Sequence, residues 1–432
     1  MTTTPHAHDR TTDSTVNRLS LNPLVVLGYL FLLAGLGLAA YHGLAQLDVL
    51  PRVSWVSWSH IHYVTVGGFS QILLGLLPQV AARKLDQPTP PRWYALLNAG
   101  LLTGGFLLLW YGRGFGHPRW FDAGLVVVWL LVLGLLLVVL RMALRSPYGW
   151  DPTVALFILS PFVFLWGITY AWGLYAHAWR VPGGWLGLRE AHVHANAWGF
   201  LAFAVVGTLY ELFPRLVKTD LYSQRLKRYS VPFFAAGIFP LITGPWLGMG
   251  RSVTATGLVL YATGFALYLY NLLRTYRAGT ESGVARMLLA SQFWLLGPAG
   301  FAPFVLFGVE WVPTTYIEQG ALHFFFVGWA LPIAFAGLTI AARSFHCPRA
   351  PDGGEPTDGV FPALDVPDVE RWRVWVWNLA VLVVGFGFFY QDRGWSTALF
   401  GVGYAVIAAL WLWFLLAAAR DHRRRLAAAS TT

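Results

Sequence analysis

The stretch Arg189-Glu190-Ala191-His192-Val193-His194-Ala195-Asn196-Ala197-Trp198-Gly199-Phe200 decides how this chain is organised, because it opens an apolar run that continues to Pro214. Two histidines stand one residue apart at the mouth of an expected membrane helix. On a helix, residues i and i+2 are roughly 200° apart, so the two rings point to opposite sides. They are badly placed to chelate one ion together. They are well placed to serve two different centres, one on each face.

The pattern returns on either side. His60-Ile61-His62 begins a run that ends near Ala82, and His323 begins the run from Gly320 to Ile340. His62, His194 and His323 each have a glycine five residues on, at Gly67, Gly199 and Gly328. Thirteen residues on come Gly75, Gly207 and the small Ala336. The three histidines lie 132 and 129 residues apart, which marks an internal repeat.

Composition assigns the chain to a membrane. Hydrophobic residues make up 56% and charged residues 12%, too few charges to coat a soluble protein of 432 residues. Apolar runs near the length of a bilayer-spanning helix recur from end to end. With a cytoplasmic amino terminus and twelve helices, the inward segments carry 23 of the 30 Lys and Arg. That bias follows the positive-inside rule, so the net charge of +10 needs no nucleic-acid partner. The location expected is a prokaryotic cytoplasmic membrane, with both termini inside. The single cysteine, Cys347, allows no disulfide framework, CxxCH haem attachment or iron–sulfur set.

The expected fold is all-α and membrane-embedded. Its helices are Leu24–Ala45, Trp55–Ala82, Trp93–Gly112, Phe121–Met142, Thr153–Ala178, Glu190–Pro214, Tyr229–Met249, Val253–Leu273, Ala285–Gly308, Glu318–Ala342, Val374–Gln391 and Ser396–Ala419. Residues 1–22 form a polar arm and 23–419 one transmembrane domain, with a Pro-, Gly- and Asp-rich linker at 343–373. Residues 420–432 are a basic tail. The repeated histidines fall on the second, sixth and tenth helices, each four apart. Three four-helix units around a pseudo-threefold axis is the simplest arrangement.

Eight of the twelve histidines gather toward the outer face: His42, His60, His62, His117, His177, His192, His194 and His323. A lone histidine at a helix end is ordinarily an interfacial group, half solvated and bonded to nearby carbonyls. That description suits His42, His117 and His177. His60, His62, His192, His194 and His323 stand in register with glycines, and neutral imidazole is the commonest metal ligand a protein offers. These five are the candidate ligands for haem iron or copper. The glycines serve either the approach of a planar macrocycle or close helix packing.

At this point the chain resembles subunit I of the haem-copper oxidase and nitric oxide reductase superfamily. The likeness rests on twelve helices in three groups, outer-side histidines on helices two, six and ten, and two segments. The segments are His192-Val193-His194-Ala195-Asn196-Ala197-Trp198-Gly199-Phe200 and Gly207-Thr208-Leu209-Tyr210-Glu211-Leu212-Phe213-Pro214-Arg215-Leu216, similar to the HxH helix of the nitric-oxide-reductase-like branch. In that family one histidine of the pair binds a low-spin haem and the other a high-spin haem. The resemblance implies one or two b-type haems, with copper as a further candidate. It also implies electron transfer or oxidoreductase chemistry on O2 or NO, and electrons from a quinol, cupredoxin or cytochrome, with or without a small partner subunit. There are departures. The family carries HxH on its tenth helix and copper-binding histidines on its seventh, whereas here the seventh has none, and Asn196 stands where the family has its tyrosine cofactor. Two alternatives stay open: a non-catalytic NnrS-type haem or copper protein of nitric oxide tolerance, and a twelve-helix transporter. Four-helix units give parallel repeats, and transporters place ionisable groups near the midplane rather than in a ring at one face.

Overall fold

The computed structural model describes residues 22–148, 151–176, 180–309, 312–344, 369–390 and 393–429. They form helices and connecting turns, with no strand among them. We number the long helices α1 (Pro23–Gln46), α2 (Val56–Lys84), α3 (Arg92–Gly114), α4 (Pro118–Arg145), α5 (Pro152–Ala176) and α6 (Gly184–Leu216). Then follow α7 (Gln224–Trp246), α8 (Arg251–Ala278), α9 (Gly283–Phe307), α10 (Thr314–Leu338), α11 (Arg371–Phe389) and α12 (Gly394–Ala429). Eleven of them are long and apolar enough to cross a membrane. The remaining one, α7, starts on Gln224, Arg225, Lys227 and Arg228 and contains Pro232, Pro240 and Pro245, so its apolar content is diluted.

Caps fix several of the starts. Asn22 accepts from the Leu24 amide at 3.1 Å and donates to the Gly75 carbonyl at 3.1 Å, stapling the beginning of α1 to α2. Ser223 and Ser282 accept from the amides of Leu226 and Ala285 and so cap α7 and α9. Asp151 accepts from the Thr153 amide at 2.7 Å ahead of α5, whose first residue, Pro152, suits a helix start.

Neighbours in sequence pack against one another: α1 on α2, α3 on α4, α5 on α6, α7 on α8 and α11 on α12. The last helix returns to the first, α12 against α1, so the sequence of helices closes on itself. Within this ring the histidine-bearing helices are deeply buried. Of the most apolar window of each span, 72% is buried in α2, 83% in α6 and 61% in α10, against 33–44% for every other span except α5.

Several expected boundaries need correction. The ninth helix is not one rod: it divides into Gly283–Phe293 and Leu296–Phe307, with Pro298 and Pro303 in its second half. Helix α12 runs on to Ala429, so residues expected as a tail from 420 are helical through their first ten positions. The sixth helix begins earlier than Glu190, at Gly184. The arm 1–22 apart from Asn22, nearly all of the linker 343–373, Cys347 and His177 lie outside the described residues.

At the end of α2 opposite its histidines sits a cluster of four charges. Lys227 of α7 is 3% exposed and pairs with Asp151 at 3.1 Å and Glu211 at 3.0 Å. Lys84 of α2 reaches Glu211 at 3.2 Å and Asp151 at 3.6 Å, and the Thr153 hydroxyl donates to Glu211 at 2.9 Å. Two cations and two anions thus balance, and they tie α2, the start of α5, α6 and α7 into one knot. Removing one member leaves a buried charge uncompensated. Lys227→Met is expected to cost about 3–5 kcal/mol, seen as a large fall in melting temperature of the detergent-solubilised protein. A near-unchanged melt would mean that the cluster is solvated.

Asp151 lies just outside the membrane spans. Burial alone raises its carboxyl, but Lys227 and Lys84 beside it hold it below the usual carboxylate range. A depressed folded value means that the stabilisation is full above the unfolded value, near about 3.9, and fades as pH falls through the lower folded one. Melting temperature should therefore drop on acidification below about pH 5. Asp151→Asn should lower the neutral-pH melt and flatten that drop.

Candidate functional site

In all three histidine-bearing helices the winding changes at the histidine. The α-helical turns of α2, α6 and α10 pass into π-helical segments at Tyr63–Ser70, His194–Leu201 and Phe324–Ala330, then return to α-helix. The backbone stays right-handed through each junction; His194, for example, has φ −61° and ψ −44°. Wider π turns re-aim side chains within a continuous helix and recur at functional sites.

The glycines five residues past the histidines sit inside these segments, and their role is close packing. A Cβ on Gly67 would come within 2.8 Å of the Phe31 ring of α1. One on Gly199 would strike Val163 of α5, and one on Gly328 would come within 2.6 Å of the Trp294 indole, at the division of α9. The second set behaves likewise: Gly75 meets Leu24 of α1 and Gly207 meets Phe157 of α5. In each unit, then, the histidine helix is pressed onto the helix before it. These glycines do not border a space for a macrocycle.

The histidine rings are held by their Nδ1 atoms. His60 and His62 engage the carbonyls of Val56 at 3.2 Å and Trp58 at 2.9 Å, and His323 that of Gln319 at 2.5 Å, each one turn back on its own helix. His192 reaches across to the Gly167 carbonyl of α5 at 2.8 Å. A carbonyl can only accept, so Nδ1 carries the proton; Nε2 keeps a free lone pair in His60, His62 and His323, while in His192 the Asn196 amide lies 3.2 Å from it and can donate to it. That is the tautomer a metal-ligating imidazole needs. His194 differs: its Nδ1 is buried without a well-formed hydrogen bond, near the carbonyls of Glu190 and Leu241. Stacking fixes ring planes too, with His62 on Trp58 at 4.0 Å and His323 on Phe388 of α11 at 3.7 Å.

All five candidate histidines line a single cavity of about 1040 Å³. Its walls are mostly apolar, with Leu36, Val64, Phe164, Phe200, Tyr261 and Val327 among them. Each of the five rings is half-buried, because part of each borders this open space.

The two HxH pairs are two-faced, as their spacing predicts. His60 lies within electrostatic reach of His323 and His42, and His62 within reach of His192. Across helices, His62 of α2 thus lies near His192 of α6, and His60 of α2 near His323 of α10. Two residues before His323, where the other two helices carry His60 and His192, stands Ala321, which also lines the cavity.

Charges collect around the same space. Arg189 of α6 pairs with its neighbour Glu190 at 2.8 Å and with Glu318 of α10 at 2.5 Å. Those partners, Arg189 and Glu318, stand 129 residues apart, the spacing of the repeat itself. Arg113 of α3 lies over the Tyr175 ring at 5.7 Å, lines the cavity and is within reach of His62.

His42, expected as an interfacial histidine, lies against the candidate group. Its ring stacks on His60 with centroids 5.8 Å apart and planes 19° apart, joining α1 to the histidine group. Position at the outer end of α1 was the one available signal. His117 instead stacks on Tyr111 and does not line the cavity.

A bare metal ion does not suit this arrangement. Among the described residues no three His, Cys, Asp or Glu side chains converge tightly enough to hold one ion. What the cavity does offer is separate imidazoles among apolar walls.

No known family model matches this chain, and no curated protein matches it.

The glycine contacts yield a direct test. Gly199→Leu forces a side chain into Val163 and is expected to cost at least about 1–3 kcal/mol, with loss of the folded form in detergent. Gly134→Leu, where a Cβ would meet nothing within 4 Å, should be tolerated. Equal behaviour of the two would overturn the packing role.

Proposed function

We propose that the protein is a membrane haem protein whose outer-side cavity binds b-type haem between α2, α6 and α10. Its ligands are drawn from His60, His62, His192, His194 and His323, and its task is electron transfer or chemistry on O2 or NO. The observation that carries this reading is that five half-buried histidines border one apolar cavity, four of them with Nδ1 anchored and three of those, His60, His62 and His323, with Nε2 left free. Haem supplies an iron that accepts axial nitrogen ligands and changes oxidation state by one electron.

The chain's own residues have separate tasks. His62 and His192 form one opposed pair, and His60 and His323 another. Ala321 stands where the other two helices carry His60 and His192, so His194 would hold a haem without a partner imidazole from α10 and would leave room for a small molecule. Arg113 and the Arg189–Glu318 pair set the charge around the cavity, and the aromatic and aliphatic walls exclude water. The helix order, the ring closure of α12 on α1 and the three equivalent glycine contacts support three four-helix units, α7 included as the twelfth span. This is the arrangement of subunit I in the haem-copper oxidase and nitric oxide reductase superfamily. The excess of Lys and Arg on one set of connections supports cytoplasmic termini in a prokaryotic inner membrane.

The test is a reduced-minus-oxidised optical spectrum of the purified protein, with pyridine haemochrome quantitation. We expect a b-type signal near stoichiometric with the chain, diminished in His62→Ala and in His323→Ala. Carbon monoxide should shift part of the reduced spectrum. Ala321→His, which supplies the missing ring, should abolish that shift while haem content is kept. Absence of haem after expression in haem-replete cells would sink the proposal.

A further inference from the structure

A second cavity, of about 240 Å³, lies on α12 far along the chain from the histidines. It is lined by Trp413, Leu416, Ala417, Arg420 and Arg424. At 100° per residue these five positions fall on one stripe of the helix. The apolar part of α12 ends at Ala417. Arg420 and Arg424 therefore stand about 4.5 and 10.5 Å beyond the last apolar residue, at the depth of lipid headgroups.

The two halves of this stripe ask for different chemistry. Trp413 is 57% exposed and Leu416 is 49% exposed, on a face that turns outward from the helix ring. Arg420 and Arg424 are exposed and one turn apart. The nearby Arg373 at the start of α11, 5.6 Å from the Trp413 ring, already has Glu370 at 3.3 Å. Two guanidinium forks above an apolar groove complement a phosphate above an acyl chain.

We propose that this groove is a binding site for an anionic phospholipid, with the headgroup phosphate between Arg420 and Arg424 and the acyl chain along Leu416 and Trp413. Trp413 caps the apolar end as an interfacial aromatic does. The site is independent of the histidine cavity and of what that cavity holds.

Native mass spectrometry of the full chain in detergent tests it, with titration of phosphatidylglycerol, of phosphatidylcholine with the same acyl chains, and of inorganic phosphate. We expect phosphatidylglycerol to be retained on the order of tenfold more strongly than phosphatidylcholine. In Arg420→Gln/Arg424→Gln the two lipids should be retained equally, with the melting temperature in lipid-free detergent unchanged. Should the double variant fail to fold, Arg420→Gln and Arg424→Gln are each expected to reduce the preference singly. Equal retention of both lipids by the native chain would overturn the site. So would a preference that survives the substitutions, or inorganic phosphate that competes at the concentration of the lipid.

Discussion

Inside a bilayer no water is at hand to satisfy a polar group, and every nitrogen and oxygen there must find its partner within the protein. Nearly everything distinctive in this molecule answers that constraint. Backbone groups are satisfied by helices. Four of the five cavity imidazoles are satisfied one turn back, at the carbonyls of Val56, Trp58 and Gln319, or across at Gly167. A carbonyl uses only one of the two ring nitrogens. The requirement of the membrane thus leaves His60, His62 and His323 each with a basic nitrogen to present to the cavity. At the other end of α2, four ionised groups satisfy one another in the Lys84, Asp151, Glu211 and Lys227 knot.

Close approach of helices is the second theme, and it explains why the polar groups end where they do. Gly67, Gly199 and Gly328 press each histidine helix onto its predecessor, and they do so from within a π-helical turn. Contact without a side chain between the helices fixes rotation about the helix axis. Rotation in turn decides which face a histidine occupies. A glycine one and a half turns away therefore controls the aim of the ring without touching it.

Much of this is legible in the sequence, for identifiable reasons. Long apolar runs give α1 as Leu24–Ala45 against the observed Pro23–Gln46, and the spacing of His60/His62 and His192/His194 gives their opposed faces. The five histidines do come to one cavity. What escapes is whatever depends on neighbouring helices. Lys227 belongs to a basic run that has every mark of a solvated anchor, yet it is buried, because Asp151 and Glu211 arrive from other parts of the chain. The division of α9 and the polar, proline-rich character of α7 are local, but apolar periodicity alone does not register them. The π turns leave no signature beyond a glycine. His42 lacks the register that singles out the others, and its stacking on His60 is set by how α1 lies on α2.

Ala321 shows what a single chain permits. Identical chains assembled around an axis would share every substitution, so a ring could be missing from one position only if it were missing from all. In one polypeptide the segments around His62, His194 and His323 are free to differ, and they do: Ala321 stands two residues before His323, where His60 and His192 precede His62 and His194.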